Sequence, residues 1–179
     1  MIRWIPFAIL AYAAMVAQTS VAHLVTFSAG SAGTISPDLL AMTAVFVAMY
    51  ARAELDVMLA AWGLGLAMDL TTAQAVGVMP LMYALAAAFV FRLREAVFRE
   101  RILTQVVLAM LFCLPAHGLW VTVQAALAWR DTTWGDWGRS LLQAVLIASY
   151  TAALMPLVHW ALAKLQPLFL AAPAGRGRR

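Results

Sequence analysis

The sequence is poor in cysteine and in charge. Its single cysteine, Cys113, lies in an apolar run, so the chain has no pair for an intrachain disulfide and no cysteine cluster for a metal. Only 11% of the 179 residues are charged, whereas soluble domains carry about 25%. The few charges are bunched and leave long apolar stretches between them. These shortages exclude an ordinary soluble domain and are typical of a chain that lies largely in lipid.

The apolar residues, 65% of the chain, occur in continuous runs that do not alternate with polar residues. Because a membrane-spanning strand requires such alternation, the spanning segments are predicted to be helices. Six helices are predicted, over residues 4–24, 37–51, 55–69, 78–91, 102–127 and 140–165. The predicted fold is therefore an all-α membrane protein, with one six-helix transmembrane domain over residues 1–165. Residues 166–179 are predicted to form a basic, disordered tail.

The positive charges predict the orientation of the helices, because cytoplasmic loops are rich in Lys and Arg. With six spans and the N-terminus inside, ten of the twelve Lys and Arg residues fall on the cytoplasmic side. Only Arg130 and Arg139 fall outside. Both termini are therefore predicted to be cytoplasmic, with Trp129, Trp134 and Trp137 in an aromatic belt at the outer interface.

Two carboxylates fall inside the predicted membrane region. Asp38 follows Ser36, the expected N-cap of the second helix, and Pro37, its expected first residue. Asp69 lies at the end of the third helix, where a carboxylate opposes the helix dipole and needs a partner. Three interpretations are open for this pair: a polar clamp that fixes the bundle, a cavity for a ligand or an ion, or exposure among the outer headgroups. The expected partners of Asp69 are the helix start at residues 36–38, the hydroxyls of Thr71 and Thr72, and an outer-loop arginine.

A basic segment joins the fourth and fifth helices. Its apolar residues fall on one side and its charges elsewhere, which favours a helix lying on anionic lipid at the inner interface. A docking surface for a cytoplasmic partner is the alternative interpretation. The arginines of this segment are Arg92, Arg94, Arg99 and Arg101.

The remaining candidates point to packing rather than to chemistry. Gly63 and Gly65 form a small-residue face on the third helix that suits close helix contact. The three histidines, His23, His117 and His159, are each isolated from other ligands, so no zinc site is specified. His117 is predicted to be a hydrogen-bonded core residue. No catalytic, cofactor or metal site is predicted, and the net charge of +4 requires no nucleic-acid partner.

Several of these motifs occur in a definite order. Pro37-Asp38 opens a short second helix, and the third helix ends in Gly-Leu-Ala-Met-Asp-Leu over residues 65–70. Gly77 follows a short turn, the basic segment precedes the fifth helix, and Pro156 interrupts the last one. This order resembles the MreD family of bacterial rod shape-determining membrane proteins, over residues 36–164. The chain departs from the family at Ala73 and Ala75, where glycine and proline are common.

The resemblance implies a role without catalysis in the bacterial inner membrane. MreD-like proteins belong to the machinery that inserts peptidoglycan along the side wall. They partner MreC, a single-span protein, and work alongside MreB filaments and a RodA-type glycosyltransferase with its transpeptidase. Their fold is similar to the substrate-binding subunits of energy-coupling-factor transporters. That similarity gives the alternative hypothesis, a small-molecule-binding subunit with its pocket near Asp38 and Asp69.

Overall fold

A computed structural model describes residues 2–20, 22–28, 30, 33–71, 77–94, 101–128 and 133–170. The described residues contain six α-helices, as predicted, and belong to the all-α class. A 3₁₀ turn over Ala22–Val25 and a two-residue antiparallel pair, β1 (Phe27–Ser28) with β2 (Thr34–Ile35), lie between the first two helices. The helices are α1 (Trp4–Ser20), α2 (Leu39–Tyr50), α3 (Glu54–Thr71), α4 (Val78–Leu93), α5 (Ile102–Leu127) and α6 (Trp134–Phe169).

The helix boundaries agree with the prediction for α5 and differ most for α1 and α6. α1 ends at Ser20 instead of residue 24, because the chain turns there into the 3₁₀ segment. α6 begins at Trp134 instead of residue 140 and ends at Phe169 instead of residue 165. Its early start has a local cause: Thr133 and Asp136 form a capping box, each side chain accepting from the other residue's backbone N–H. The predicted disordered tail starts at residue 166, but residues 166–169 belong to α6; from residue 171 onward the tail lies outside the described residues.

The start of α2 also differs from the prediction. The N-cap is Asp38 and not Ser36, and Oδ1 of Asp38 accepts a hydrogen bond from the N–H of Ala41 at 2.8 Å. Pro37 consequently precedes the cap instead of occupying the first helical position. A carboxylate at the N-cap satisfies an amide of the first turn as well as a serine hydroxyl does, and it also suits the positive end of the helix dipole.

α2 is the centre of the bundle. Every residue from 40 to 49 is buried, and α2 contacts each of the other five helices. A helix that is apolar all round belongs in such a position. Its 12 residues are about 18 Å long at about 1.5 Å per residue, well short of a hydrocarbon core of about 30 Å. The N-terminus of α2 therefore lies inside the bundle and not at its surface.

Three contacts gather the two ends of the described chain, the start of α3 and the end of α4 at one end of the bundle. Ile2 forms an isolated antiparallel bridge with Leu170, and its N–H donates to Oδ2 of Asp56 at 3.2 Å. Arg92 at the end of α4 pairs with Glu54 at the start of α3 at 3.0 Å. We call the end of the helix bundle that holds these contacts the Ile2 end. The opposite end, where α5 ends and α6 begins, is the Thr133 end.

Two helices, α5 and α6, are long and apolar enough to cross a membrane, with mean hydropathy of 2.0 and 1.8. α1, α2 and α4 are shorter apolar helices. Large apolar side chains also lie exposed on the outside of the bundle, among them Ile5, Leu81 and Leu103. Such a surface suits contact with lipid and not with water.

Candidate functional site

Asp38 holds three helices together inside the bundle. Its side chain is 1% exposed. Oδ1 accepts from the N–H of Ala41 in α2, and Oδ2 accepts from the hydroxyl of Tyr83 in α4. His117 in α5 brings Nε2 to 3.1 Å from Oδ2. Tyr83 and His117 are separated from Asp38 by long stretches of chain, and no local sequence pattern connects either residue with it.

The backbone at the start of α2 is satisfied by side chains from α1 and α6. The N–H of Asp38 donates to Oγ1 of Thr151 at 3.0 Å, and the N–H of Leu39 donates to Oε1 of Gln18 at 2.7 Å. Nε2 of Gln18 in turn donates to the carbonyl of Pro37 at 3.1 Å. The first N–H groups of a helix have no partner within the helix, and leaving them unpaired inside an apolar bundle is costly. These side chains therefore allow α2 to begin at this depth.

Asp69 lies at the end of one helix and at the start of another. It is 3% exposed, and its Oδ2 accepts from the N–H of Gly77 at 2.6 Å. Gly77 is the N-cap of α4 and has a φ of 115°, a left-handed conformation that favours glycine. The carboxylate that opposes the dipole of α3 is thus placed where the dipole of α4 favours it. Gly77 was not among the expected partners. The Asp69 and Gly77 motif was noted only as part of the family resemblance, and it could have indicated this contact.

The burial of Asp38 and Asp69 argues against the interpretation that both are exposed among headgroups. Both acids contact α4, Asp38 through Tyr83 and Asp69 through Gly77. The expected partner Thr72 lies outside the described residues. Thr71 donates its hydroxyl to the carbonyl of Met68 at 2.8 Å.

The two glycines of the predicted small-residue face have different surroundings. A Cβ on Gly65 would lie 2.7 Å from Cα of Pro80 and 2.8 Å from the carbonyl oxygen of Met79, so α3 and α4 are in backbone contact there. A Cβ on Gly63 would meet no atom within 4 Å. Gly65 therefore lies in the close contact between α3 and α4, whereas the space beside Gly63 is unoccupied by described atoms. Pro156 lies inside α6, which continues on both sides of it.

The arginines of the basic segment also differ in their surroundings. The segment was predicted to lie on lipid at the inner interface, and this prediction is wrong for Arg94. Its side chain is buried, not laid on lipid: Nη1 donates to the carbonyls of Ala48, at 2.9 Å, and Ala51, and the guanidinium lies 3.7 Å from the ring centroid of Phe91. The physical cause is the end of α2, whose last carbonyls have no partner within the helix. Arg92 and Arg101 are exposed. Arg99 lies outside the described residues.

A cavity of about 210 Å³ lies beside the start of α2. Asp38 and His117 contribute to its wall, together with polar and apolar side chains from α1, α3, α5 and α6. Within the described ranges, no three His, Cys, Asp or Glu side chains are grouped so as to hold a metal ion. His159 is elsewhere, with Nε2 at 2.8 Å from the hydroxyl of Tyr50. The side chain of His23 lies outside the described part of the structure.

The sequence profile of the family described as rod shape-determining protein MreD matches residues 1–131. The chain belongs to the MreD family. The resemblance noted from the sequence motifs is thereby confirmed, and the protein is assigned to the inner membrane and to rod-shape determination. The match includes Asp38, Asp69, Gly77 and His117, whereas α6 lies beyond it. No curated protein and no solved structure matches the chain.

Proposed function

We propose that this MreD-family protein is a non-catalytic integral membrane scaffold of the bacterial cell-elongation complex. Its partners are an MreC-like single-span protein, a RodA-type glycosyltransferase with its transpeptidase, and MreB filaments. The family match over residues 1–131 carries this proposal. The scaffold organises the enzymes of side-wall peptidoglycan synthesis and contributes no reacting group of its own.

The bonding of the buried polar residues supports a structural role. Asp38 receives hydrogen bonds from Ala41 and Tyr83, Asp69 receives one from Gly77, and Arg94 donates to the end of α2. Each of these groups fixes a helix end within the apolar bundle. A rigid arrangement of helix ends is what a scaffold requires, since partners must find the same surface each time.

The charge distribution supports six spans with both termini in the cytoplasm. Among the described residues, the Ile2 end carries Arg52, Arg92, Arg101 and Lys164, whereas Arg139 lies at the Thr133 end. We therefore place the Ile2 end in the cytoplasm, following the positive-inside rule. Arg92 and Arg101 are exposed there and are suited to anionic lipid.

Gly63 is the proposed point of contact for a partner helix. It is open in the structure, and Leu59 and Trp62, four residues and one residue before it on α3, are exposed. A glycine on a lipid-facing helix lets another backbone approach closely, which is how many transmembrane helices associate. We assign this surface to the single span of the MreC-like partner.

The cavity beside Asp38 favours a second candidate function, a substrate-binding subunit of an energy-coupling-factor-type transporter. Depletion of the protein in its own bacterium separates the two candidates. The scaffold role predicts that cells lose their elongated shape and that labelled precursors no longer enter the side wall. Unchanged shape and wall growth, with loss of uptake of a small nutrient, would contradict the scaffold role and support the transporter subunit.

A further inference from the structure

Two cavities lie end to end beside α5 and α6. The inner one is the cavity of about 210 Å³ next to Asp38 and His117, and the outer one, of about 360 Å³, reaches Asp136 and Trp137 at the Thr133 end. Together they form the α5–α6 cleft, whose size is in the range of small-molecule sites, roughly 300–1,000 Å³. Three residues line both cavities: Trp120, Val121 and Ser140.

A buried hydrogen-bond donor of the outer cavity has no partner among the described residues. Nε2 of Gln124 is buried and bonds to no described atom. Nε2 of His117, seven residues earlier on the same side of α5, already lies 3.1 Å from Oδ2 of Asp38 and is not available in the same way. Because buried polar groups in proteins are almost always paired, the amide of Gln124 suits a molecule in the cleft that carries acceptor groups.

The full charges of the cleft are already compensated. Asp38 accepts from Ala41 and Tyr83 and lies against His117. Asp136 accepts from the hydroxyl of Thr133 at 2.6 Å and pairs with Arg139 at 2.5 Å. Among the described residues of its wall, a cationic ligand would find no carboxylate without partners, and an anionic ligand would approach two carboxylates. The ligand that fits the cleft is therefore electrically neutral.

The other walls require a ligand that also donates hydrogen bonds. Gln143 uses Nε2 to reach the carbonyl of Thr34 at 2.9 Å, which leaves its Oε1 to accept. Ser36 and Ser140 add hydroxyls that both donate and accept. Two indole rings, of Trp120 and Trp137, supply flat apolar surface beside these groups. Hydroxyl groups on a carbon framework meet all of these demands, since each hydroxyl donates and accepts at once.

We propose that the α5–α6 cleft binds a neutral, polyhydroxylated molecule, either a free sugar or the sugar headgroup of a glycolipid. Its hydroxyls accept from Gln124 and donate to Gln143, and its carbon face packs on the indole of Trp120. The outer cavity reaches the Thr133 end, so the headgroup enters from that surface. This proposal concerns the cleft alone and stands whether or not the scaffold role holds.

The test uses the full chain in phosphatidylcholine nanodiscs with two probes, glucose in solution and glucosyl diacylglycerol in the bilayer. Native mass spectrometry counts retained molecules, and tryptophan fluorescence gives the binding curve. The variant is Gln124→Leu, which removes the donor and keeps the approximate side-chain volume. The matched control is Gln166→Leu on α6, a glutamine that does not line the cleft.

Saturable binding of either probe to the unmodified protein is expected, with about tenfold weaker binding by Gln124→Leu, the loss of one hydrogen bond. Gln166→Leu is expected to bind as the unmodified protein does. Binding of the glycolipid alone identifies a membrane ligand, and binding of glucose identifies a soluble one; both support the proposal. Absence of saturation with both probes, or equal binding by Gln124→Leu, would overturn it.

Discussion

The carboxylate of Asp69 accepts a hydrogen bond from the backbone N–H of Gly77 at 2.6 Å, across the turn between α3 and α4. This carboxylate lies in the last turn of α3 and accepts a hydrogen bond from the N-cap residue of α4, where the positive end of the α4 dipole favours a negative charge. Gly77 takes a φ of 115° in order to present its N–H in this direction. The pair explains why an acid is tolerated at the C-terminal end of an apolar helix, and it makes Gly77 sensitive to substitution.

Gly77→Ala is expected to destabilise the protein by about 1–2 kcal/mol, because a side chain strains the left-handed backbone. Gly118→Ala is the control: its backbone does not have a positive φ, and a Cβ there meets nothing within 4 Å. The control is expected to be neutral or slightly stabilising. Thermal unfolding in detergent measures both variants, and equal melting temperatures would show that the turn does not require glycine.

Gly65→Ala is expected to be more damaging than Gly63→Ala. The added Cβ at Gly65 meets the backbone of Pro80 at 2.7 Å, which cannot rotate away, so α3 and α4 must separate at a cost of about 1–3 kcal/mol. Gly63→Ala adds its methyl to open space and is expected to leave folding unchanged. Thermal unfolding of the two variants in the same detergent measures this difference in stability. The reverse order would contradict the helix contact described for Gly65.

The start of α2 depends on Asp38 more than on any one of its donors. Tyr83→Phe removes a single hydrogen bond and is expected to cost about 1–2 kcal/mol. Asp38→Ala removes the acceptor of Ala41 and Tyr83 together with the close contact to Nε2 of His117, and is expected to cost about 3 kcal/mol or more. Asp38→Asn keeps the N-cap and should lie between the two. Denaturation curves of the three variants check this order.

Arg94 and Arg92 are two residues apart, and substitution of Arg94 is expected to destabilise the protein much more than substitution of Arg92. Arg94→Leu leaves the carbonyls at the end of α2 unpaired, and is expected to cost about 2–4 kcal/mol. Arg92→Leu removes an exposed pair with Glu54 and should cost about 0–1 kcal/mol. If both variants unfold at the same temperature, the guanidinium of Arg94 is not the cap of α2.

Local patterns in the sequence predicted the helices and located the two acids. The bounds of α5 were correct because a long apolar run between charged segments has few alternative interpretations. The partners of Asp38 were not predicted, since Thr151 is 113 positions away and local periodicity carries no information on such contacts. Arg94 was predicted to be one of several exposed charges. Its side chain is buried because it donates to the last carbonyls of α2, which have no partner within the helix. The capping box at Thr133 was readable and was missed, because the surrounding Trp and Gly residues are typical of loops.

The scaffold role is tested most directly by recovering the tagged protein from membranes in mild detergent and identifying its partners by mass spectrometry. The unmodified protein and Gly118→Leu are expected to recover an MreC-like single-span protein together with wall synthases. Gly63→Leu, which folds but fills the proposed contact, is expected to lose most of the single-span partner. Recovery of paired ATPases and a coupling subunit, with no wall-synthesis protein, would contradict the scaffold role.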